Sequence, residues 1–433
     1  MEIHVVQPGE TIISIAAKYG LSPERIIQDN ELSDPNNLAV GQTIVILYPK
    51  STYTVKEGDT LDSIAIANGV SRIQILRNNP SLSDGDFLYP GETIIIEYDT
   101  VKIREVFING YAYPFIDRTV LRKTLPYLTS LTLFTYGFTP EGELIPIDDL
   151  ELINIAREYG VAPVMLLSTL SEEGVFSTEL AHQILNDEVS QNKLIDNIIA
   201  NMKTKKYVGF DADFEFLSAE DKVPYVEFLR KITERVHAEG GFVMTALAPK
   251  TSAEQKGLIY EGHDYEAIGA IVDKVLIMTY EWGYTYGPPM AVSPLNKVRE
   301  VFDYSITVIQ PEKTLMGFPN YAYDWKLPFV KGESKAQSMG IVEATEQAAD
   351  VGATILFDDV ARTPYYYYTD NTTGTPTEHV VWFEDARSAR DKMSLADEYN
   401  LNGIGVWQIM KYWPQMWLVI NALYDIEKMP INM

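Results

Sequence analysis

Residues 207–217, "YVGFDADFEFL", carry three carboxylates on alternate positions: Asp211, Asp213 and Glu215. The flanking residues are β-branched, aromatic or glycine, which predicts a β-strand, and side chains two apart in a strand point to the same face. Ala212 and Phe214 then lie on the opposite face, which is apolar and suited to contact with covering helices. The sequence therefore predicts three acids crowded on a strand face that is not an apolar core.

Two interpretations of this crowding are open. In the first, the strand lies at a half-exposed sheet edge and water surrounds the acids. In the second, crowding raises the pKa of at least one carboxyl group, which then holds a proton near neutral pH as a general acid must. Like charges on one strand face repel, and the nearby basic side chains of Lys203, Lys205 and Lys206 all precede the core of the strand. These points favour the catalytic interpretation.

The composition restricts the possible partners and sites. The chain has 433 residues, 46% hydrophobic and 22% charged, which fits a soluble protein of two or three domains. A formal net charge of -26 argues against nucleic acid or an anionic membrane surface as partner, whereas neutral sugars remain possible. The chain has no cysteine, and its 5 histidines lack ligand-like spacing, so we expect no metal and no cofactor.

The amino terminus, "MEIHVVQPGE", lacks the basic opening and apolar core of a secretory signal. No later run is long and apolar enough to cross a membrane. We therefore expect neither an ordinary signal peptide nor a membrane span.

A repeat with an offset of 49 residues occupies the first part of the chain. Gly9 and Gly58, and Asn30 and Asn79, correspond at this offset. Each copy is predicted to form a strand, a helix ending at glycine, a second helix and a strand, which is a βααβ unit. The "PGET" and "EGDT" turns and the "IAAKYG" and "IAIANG" helices resemble LysM domains, with predicted bounds 1–49 and 50–98. This resemblance implies binding of N-acetylglucosamine units in peptidoglycan or a chitin-like polymer.

Residues 99–433 alternate short apolar β-rich runs with longer amphipathic stretches. We count eight runs: "VFIN", "LTLFTYGF", "APVMLL", "YVGFDADFEF", "FVMTALA", "VLIMTYEW", "TLMGFP" and "GIGVWQI". Eight such alternations predict an α/β fold of the (β/α)8 TIM barrel type, whose active site lies at the carboxyl ends of the strands. A long interval with "PYYYYTD" and "HVVWFED" predicts a small α+β insertion at about 320–390.

On strand four of a barrel, the three acids point into the barrel and Glu215 lies nearest the carboxyl end of the strand. The negative charge buried below Glu215 is then expected to keep this residue protonated until a leaving group takes the proton. The remaining alternative is a polar layer that only fills the interior of the barrel.

Four motifs in chain order resemble family 18 glycoside hydrolases over about residues 100–433. "GFDADFE" resembles the DGxDxDxE signature of that family, with Glu215 at the position of the acid. "MTYEWG" resembles its MTYD segment, with Tyr280 in place and Glu281 where Asp is usual. "GIGVWQI" resembles the closing strand that carries Trp407, and "HVVWFEDARS" resembles the end of the insertion.

The resemblance implies substrate-assisted hydrolysis, in which the acetamido carbonyl of the sugar attacks its own anomeric carbon. Glu215 then protonates the leaving oxygen, Asp213 orients the acetamido N–H, and Asp211 lies below Asp213. Tyr280 is expected to hold the acetamido carbonyl and Trp407 to stack under the sugar ring. The further predicted substrate-binding residues are Glu281, Trp282, Tyr323, Asp324 and Trp325.

Tandem LysM copies followed by this barrel most resemble the spore cortex-lytic N-acetylglucosaminidases of spore-forming bacteria. The resemblance implies cleavage after N-acetylglucosamine in peptidoglycan, and a location at the spore or cell wall. Two alternatives stay open: a glycan-binding lectin whose barrel has lost catalysis, and a chitinase or endo-acting enzyme on other glycans. The presence of all three acids favours an enzyme over a lectin.

Overall fold

A computed structural model describes residues 1–83, 88–170, 176–372 and 374–431. Within these ranges, none of the helices combines the length and apolar character needed to span a membrane. The amino-terminal elements are β1 (Glu2–Val5), α1 (Ile12–Tyr19), α2 (Pro23–Asn30), β2 (Thr43–Ile46), β3 (Pro49–Thr54), α3 (Leu61–Asn68), α4 (Arg72–Asn78), a 3-10 helix (Pro80–Leu82) and β4 (Thr93–Tyr98). β1 pairs with β2, and β3 with β4, both antiparallel, so the two predicted βααβ units are confirmed.

The repeated residues of the two units have local structural roles. Thr11 caps α1, and Thr60 caps α3, by accepting a hydrogen bond from the backbone N–H three residues later. Asn30 joins α2 to β2, because its side chain donates to Val45 O and accepts from Val45 N, both at 2.8 Å. Asn79 makes the same pair of hydrogen bonds to Ile95 in the second unit. The asparagines therefore hold helix and strand together.

The remaining strands form a barrel and an insertion. In chain order they are β5 (Arg104–Ala112), β6 (Ser130–Phe138), β7 (Leu144–Ile145), β8 (Ala162–Ser168), β9 (Gly209–Asp213), β10 (Phe242–Leu247), β11 (Lys274–Ile277), β12 (Thr314–Pro319), β13 (Ala322–Lys326), β14 (Gln337–Met339), β15 (Leu356–Asp358), β16 (Thr363–Asp370), β17 (Thr377–Trp382), β18 (Gly403–Trp407) and β19 (Tyr424–Ile426). β5, β6, β8 to β12 and β18 are parallel, and β5 pairs with both β6 and β18, which closes an eight-stranded barrel. The predicted TIM barrel is confirmed, and each of the eight predicted runs contributes one of its strands.

Helices accompany the strands of the barrel and of the insertion. They are α5 (Arg118–Thr124), α6 (Leu150–Glu158), α7 (Thr178–Asn186), α8 (Glu188–Lys205), α9 (Lys222–Ala238), α10 (Leu258–Glu261), α11 (Tyr265–Ile271), α12 (Leu295–Ser305), α13 (Ile341–Asp350), α14 (Ala386–Glu398) and α15 (Pro414–Leu423), with 3-10 helices at Leu125–Tyr127, Ala219–Asp221 and Pro311–Lys313. The insertion is a five-stranded antiparallel sheet in the order β14-β13-β17-β16-β15, together with α13. The α+β character predicted for it is confirmed.

Strands four and six are shorter than the runs that predicted them. β9 ends at Asp213 and β11 ends at Ile277, so Glu215 and Tyr280 lie just beyond the strand ends. Beyond β9, a side chain takes the place of a neighbouring strand as hydrogen-bond partner of the backbone: His263 Nε2 donates to Phe214 O at 2.9 Å. The chain therefore leaves the sheet at the open end of the barrel, next to the acids.

The two βααβ units pack directly on the barrel. An apolar cluster joins the two units to α15 through Val45, Leu47, Ile95, Tyr98, Leu418, Val419 and Ala422. Gln415 Nε2 donates to Thr43 O at 2.6 Å, and Tyr127 OH donates to Arg77 O at 2.7 Å. Buried apolar contact of this kind stabilises the assembly of the three parts into one unit.

Candidate active site

β9 carries the acids into the open end of the barrel. Asp211 is fully buried and Asp213 is 5% exposed, while Glu215 lies at the surface of a cavity. The alternate residue Phe214 points the other way, where it stacks on Phe138 at 5.7 Å and on Phe228 at 5.6 Å between ring centroids. Strand alternation thus separates an acidic face from an aromatic one, as the sequence predicts.

A cavity of about 200 Å³ opens above these acids. Its chemically relevant lining consists of Tyr111, Asp213, Glu215, Tyr280, Glu281 and Trp407. Five of these six residues are predicted from the sequence, and they come from β5, β9, the loop after β11 and the end of β18. The carboxyl ends of strands that are distant in sequence thus meet at one site, as in other barrels of this type.

Burial is the main cause of the perturbed acidity in this cavity. It raises the pKa of Asp211 to about 7. The Tyr111 hydroxyl donates a hydrogen bond to Asp211 Oδ2 at 3.0 Å, which opposes this shift. Burial, followed by the charges of Glu215 and Asp211, raises the pKa of Asp213 well above its usual range. Asp211 and Asp213 together therefore hold at least one proton near neutral pH.

Two charges add to the effect of burial on the pKa of Glu215. Burial raises this pKa first, and the charge of Glu281, across the cavity, raises it further. Glu215 and Asp213 also repel each other when both are ionised, which is the effect expected from the strand, whereas the contribution of Glu281 is not visible in the local sequence. Glu281 is 66 residues away in the chain and reaches the site through β11.

Glu281 is held by two tyrosines of the insertion. Tyr321 OH donates to Glu281 Oε1 at 2.5 Å, and Tyr323 OH donates to the same oxygen at 3.2 Å. The backbone at Glu281 adopts a left-handed conformation with φ of 65°, which is uncommon for a residue other than glycine. Burial raises the pKa of Glu281 and the two hydroxyls oppose that shift, so the insertion fixes the position and charge of this carboxyl.

Asp211 and Asp213 each have one buried oxygen without a hydrogen-bond partner among the described residues. Asp213 Oδ1 is buried and accepts no hydrogen bond from any residue in the described ranges, and the same is true of Asp211 Oδ1. Buried carboxylate oxygens are normally hydrogen-bonded. Because Asp213 lines the cavity, a ligand that carries an N–H group can provide the missing donor.

Four of the predicted substrate-binding residues do not line this cavity. Trp282 packs against the barrel core, and Tyr323 lies behind Glu281 as described above. Trp325 is 1% exposed and donates from Nε1 to Gly287 O at 2.9 Å. Asp324 lies on the opposite face of β13 from Tyr323, where Tyr368 OH donates to it at 2.6 Å. The local motif did not reveal the register of β13, and register decides which face meets the cavity.

Three comparisons with known proteins show the family and the fold of this chain. A model of glycosyl hydrolases family 18 matches residues 176–411, and a LysM domain model matches residues 4–47 and 53–97. The chain is 37% identical to a cortical fragment-lytic enzyme of Bacillus subtilis (strain 168), over 99% of both chains. It also matches the crystal structure of the Bacillus megaterium QM B1551 spore cortex-lytic enzyme SleL with a TM-score of 0.83, at 37% identity over 99% of both chains.

The chain belongs to family 18 of the glycosyl hydrolases. It is therefore a glycosidase, and its LysM and barrel domains indicate glycan binding. A chitinase from Chromobacterium violaceum ATCC 12472, at 21% identity and a TM-score of 0.67, shares the barrel fold over 73% of this chain.

An aromatic group borders the glycosidase cavity. Trp407 at the end of β18 packs against Phe134 at 4.9 Å, Tyr111 at 5.7 Å and Tyr113 at 6.1 Å between ring centroids. Of these four aromatic residues, only Trp407 is predicted from the sequence. The alternation of aromatics in "YAYPF", residues 111–115, was the available signal, because in a strand that continues to Tyr113 the two tyrosines would point to the same face.

A cluster of possible metal ligands outside the cavity contains His182, Glu220 and Asp221. Histidine spacing did not predict it, because the three residues come from α7 and from a 3-10 helix. Asp221 Oδ2 already accepts from Ser218 Oγ at 2.6 Å, and Asp221 Oδ1 accepts from Asn186 Nδ2 at 2.9 Å. Hydrogen bonds within the protein thus account for the position of Asp221.

Proposed function

We propose that the enzyme hydrolyses peptidoglycan after N-acetylglucosamine, with spore cortex as its substrate, by retaining, substrate-assisted catalysis. The spore or cell wall is then its place of action. The names of its relatives support this substrate, since cortical fragment-lytic enzymes match over 99% of their length and of this chain. Two LysM repeats packed on the barrel fit an enzyme that works on an extended polymer of sugars.

The unpartnered Oδ1 of Asp213 is the observation that carries the proposed mechanism. A sugar with an N-acetyl group has one amide N–H, and this N–H satisfies the buried oxygen. Hydrogen bonding to the ionised form of a carboxyl group lowers its pKa. Substrate binding therefore favours ionised Asp213. The proton that Asp211 and Asp213 share then moves to Glu215, which donates it to the leaving oxygen.

The first chemical step then follows. The carbonyl oxygen of the acetamido group attacks the anomeric carbon, and the bond from that carbon to the leaving oxygen breaks. Glu215 gives its proton to the leaving oxygen and becomes ionised. The product is a cyclic oxazolinium ion, whose positive charge is balanced by ionised Asp213.

In the second step, ionised Glu215 removes a proton from a water molecule that attacks the anomeric carbon. The ring formed from the acetamide opens, and the sugar leaves with its original configuration. In this mechanism Tyr280 holds the acetamido carbonyl and Trp407 stacks under the sugar ring, and both residues line the cavity.

Digestion of purified spore cortex and of vegetative peptidoglycan tests the substrate. New reducing ends are reduced with borohydride and identified by mass spectrometry. We expect reduced N-acetylglucosamine ends from cortex, and none from Glu215→Gln, which keeps the shape of the side chain and removes the transferable proton. Glu220→Gln is the matched control, because this exposed carboxylate follows the same strand outside the cavity.

Other outcomes point to other functions. Binding of cortex without new ends in the wild type indicates a lectin. Release from chitin or glycoprotein glycans in preference to both peptidoglycans indicates a different substrate. Reduced muramic ends in place of N-acetylglucosamine ends contradict the proposed cut position.

A further inference from the structure

A second cavity lies on the side of the molecule where the second LysM repeat meets the barrel. Its volume is about 240 Å³, and its lining combines α4 with β3, β4, β19 and the end of α15. Asn421 Nδ2 of α15 donates to Asn78 Oδ1 of α4 at 2.9 Å, which fixes the two walls relative to each other. The cavity is therefore part of a built interface and shares no lining residue with the glycosidase site.

The cavity is cationic in a protein whose formal net charge is -26. Lys50, Arg77 and Lys102 line it, against the two acids Glu97 and Asp425. Glu97 is engaged with Lys50 at 3.2 Å near the rim. Among the charged lining residues the cations exceed the acids by one, which fits a ligand with a single negative charge.

Arg77 is the unusual member of this lining. Its Nε is buried and makes no hydrogen bond to any described residue, and neither a side-chain hydrogen bond nor an ion pair is found for the rest of the guanidinium group within the described ranges. A guanidinium group presents five N–H donors in a planar fork that matches a carboxylate. The side chain as a whole is half-buried, and its buried Nε–H without an acceptor is costly unless a ligand provides one.

The lowered pKa values of two nearby lysines reflect the same excess of positive charge. Burial, and then the charge of Arg77, lowers the pKa of Lys102 to about 8. Burial and Arg77 likewise lower the pKa of Lys428, next to the cavity, to about 7. An anion bound beside Arg77 relieves this repulsion.

We propose that this cavity binds the terminal carboxylate of a short peptide, with the carboxylate on Arg77. Neutral amides line the cavity as well, namely Gln74, Asn78 and Asn421, and they can bond to the backbone of such a peptide. The acids at the rim disfavour a multiply charged anion such as phosphate. Such a peptide is either free in solution or attached to a glycan strand. The second of these two sources rests on the proposed function.

Isothermal titration of the full chain carrying Glu215→Gln tests this site without hydrolysis. The probes are N-acetyl-alanyl-alanine, its carboxyl-terminal amide, and inorganic phosphate. We expect the acid to bind about 10- to 100-fold more tightly than the amide, since only the acid makes charge-assisted hydrogen bonds. Equal binding of acid and amide, tighter binding of phosphate, or no binding of the acid overturns the proposal.

The first repeat supplies a conservative variant. Gln28 occupies in the first repeat the position of Arg77 in the second, at the offset of 49 residues, so Arg77→Gln makes the second repeat like the first. We expect Arg77→Gln to abolish the preference for the acid. Arg72→Gln is the matched control, because it removes the same charge from the exposed start of the same helix. An equal effect of both variants shows that general charge, and not this cavity, binds the probe.

Peptide-bearing and peptide-free glycan fragments distinguish the two sources. If the attached peptide is the ligand, Arg77→Gln weakens binding of the peptide-bearing fragment alone. If the free peptide is the ligand, Arg77→Gln weakens its binding and leaves both fragments unaffected. Failure of the proposed function leaves the comparison of acid and amide unchanged, so the two proposals fail separately.

Discussion

Asp211→Asn should stabilise the protein above neutral pH. Asp211 is fully buried, its one hydrogen bond to a described residue is from Tyr111, and its pKa is raised from 3.8 to about 7. A shift of this size corresponds to about 4 kcal/mol of unfavourable free energy for the ionised carboxylate in the folded state. Asparagine keeps the acceptor for Tyr111 and carries no charge. Desolvation of its amide group, about 1–2 kcal/mol, leaves a net gain of about 2–3 kcal/mol.

The sign of the pH dependence follows from the two pKa values. Below pH 3.8 the carboxyl group is protonated in both the folded and the unfolded state, so its ionisation carries no penalty. As pH rises, the unfolded state releases the proton first, and wild-type stability falls relative to the variant by about 1.4 kcal/mol per pH unit. The loss levels off once the pH exceeds the folded-state pKa of about 7.

Urea denaturation of wild type and Asp211→Asn from pH 5 to pH 8 measures this effect. The difference in unfolding free energy should grow by about 2–3 kcal/mol over that range. Asp149→Asn is a matched contrast, because Asp149 is equally buried but accepts hydrogen bonds from Tyr136 and Tyr207 and from Lys205 at 2.6 Å. It should destabilise the protein throughout. A difference for Asp211→Asn that does not change with pH, or a loss like that of Asp149→Asn, would refute the reasoning.

Three further predictions concern the site and the domains. Glu281→Gln should move the alkaline limb of the kcat/KM profile to lower pH, because it removes a charge that raises the Glu215 pKa; an unmoved limb contradicts this. Asp213→Asn should lose activity, and azide should not restore it. The variant should also bind a thiazoline analogue of N-acetylglucosamine more weakly than the wild type does. A glycosyl ester on Asp213, detected by mass spectrometry of the wild type, contradicts substrate assistance. Deletion of residues 1–97 should lower the thermal midpoint of unfolding, because it exposes apolar side chains such as Leu418. Side chains of this kind contribute about 1.5–3 kcal/mol each when buried. An unchanged midpoint shows that packing of the LysM units on the barrel is not stabilising.

The barrel was predictable because its signal is local. Each strand appears in the sequence as a short apolar run, and the spacing between runs leaves room for a helix. The face of Asp211 and Asp213 was predictable for the same reason, since alternation along one strand needs no knowledge of its neighbours. The capped helices of the LysM repeats are likewise specified by residues within a few positions of each other.

Contacts between distant elements were not predictable. Tyr321 and Tyr323 hold Glu281 from the insertion, about forty residues away, and no local pattern links them. Asp324 and Trp325 follow these tyrosines in the sequence, yet strand alternation and packing place both away from the cavity. The packing of the LysM units on α15 depends on the shapes of two surfaces, which the sequence of neither part reveals.

The unfavourable burial of Asp211 is itself an argument about its role. A residue that only filled the interior of the barrel and accepted a hydrogen bond from Tyr111 could equally be asparagine, which avoids the ionisation penalty. The carboxylate differs from asparagine in its charge, and this charge raises the pKa of Asp213 next to it. In the proposed mechanism, Asp211 therefore helps keep a proton on Asp213 before substrate binds, at the expense of stability above neutral pH. Asp211→Asn should accordingly gain stability and lose turnover together, and a variant that gains stability with full activity would show that the charge serves no catalytic purpose.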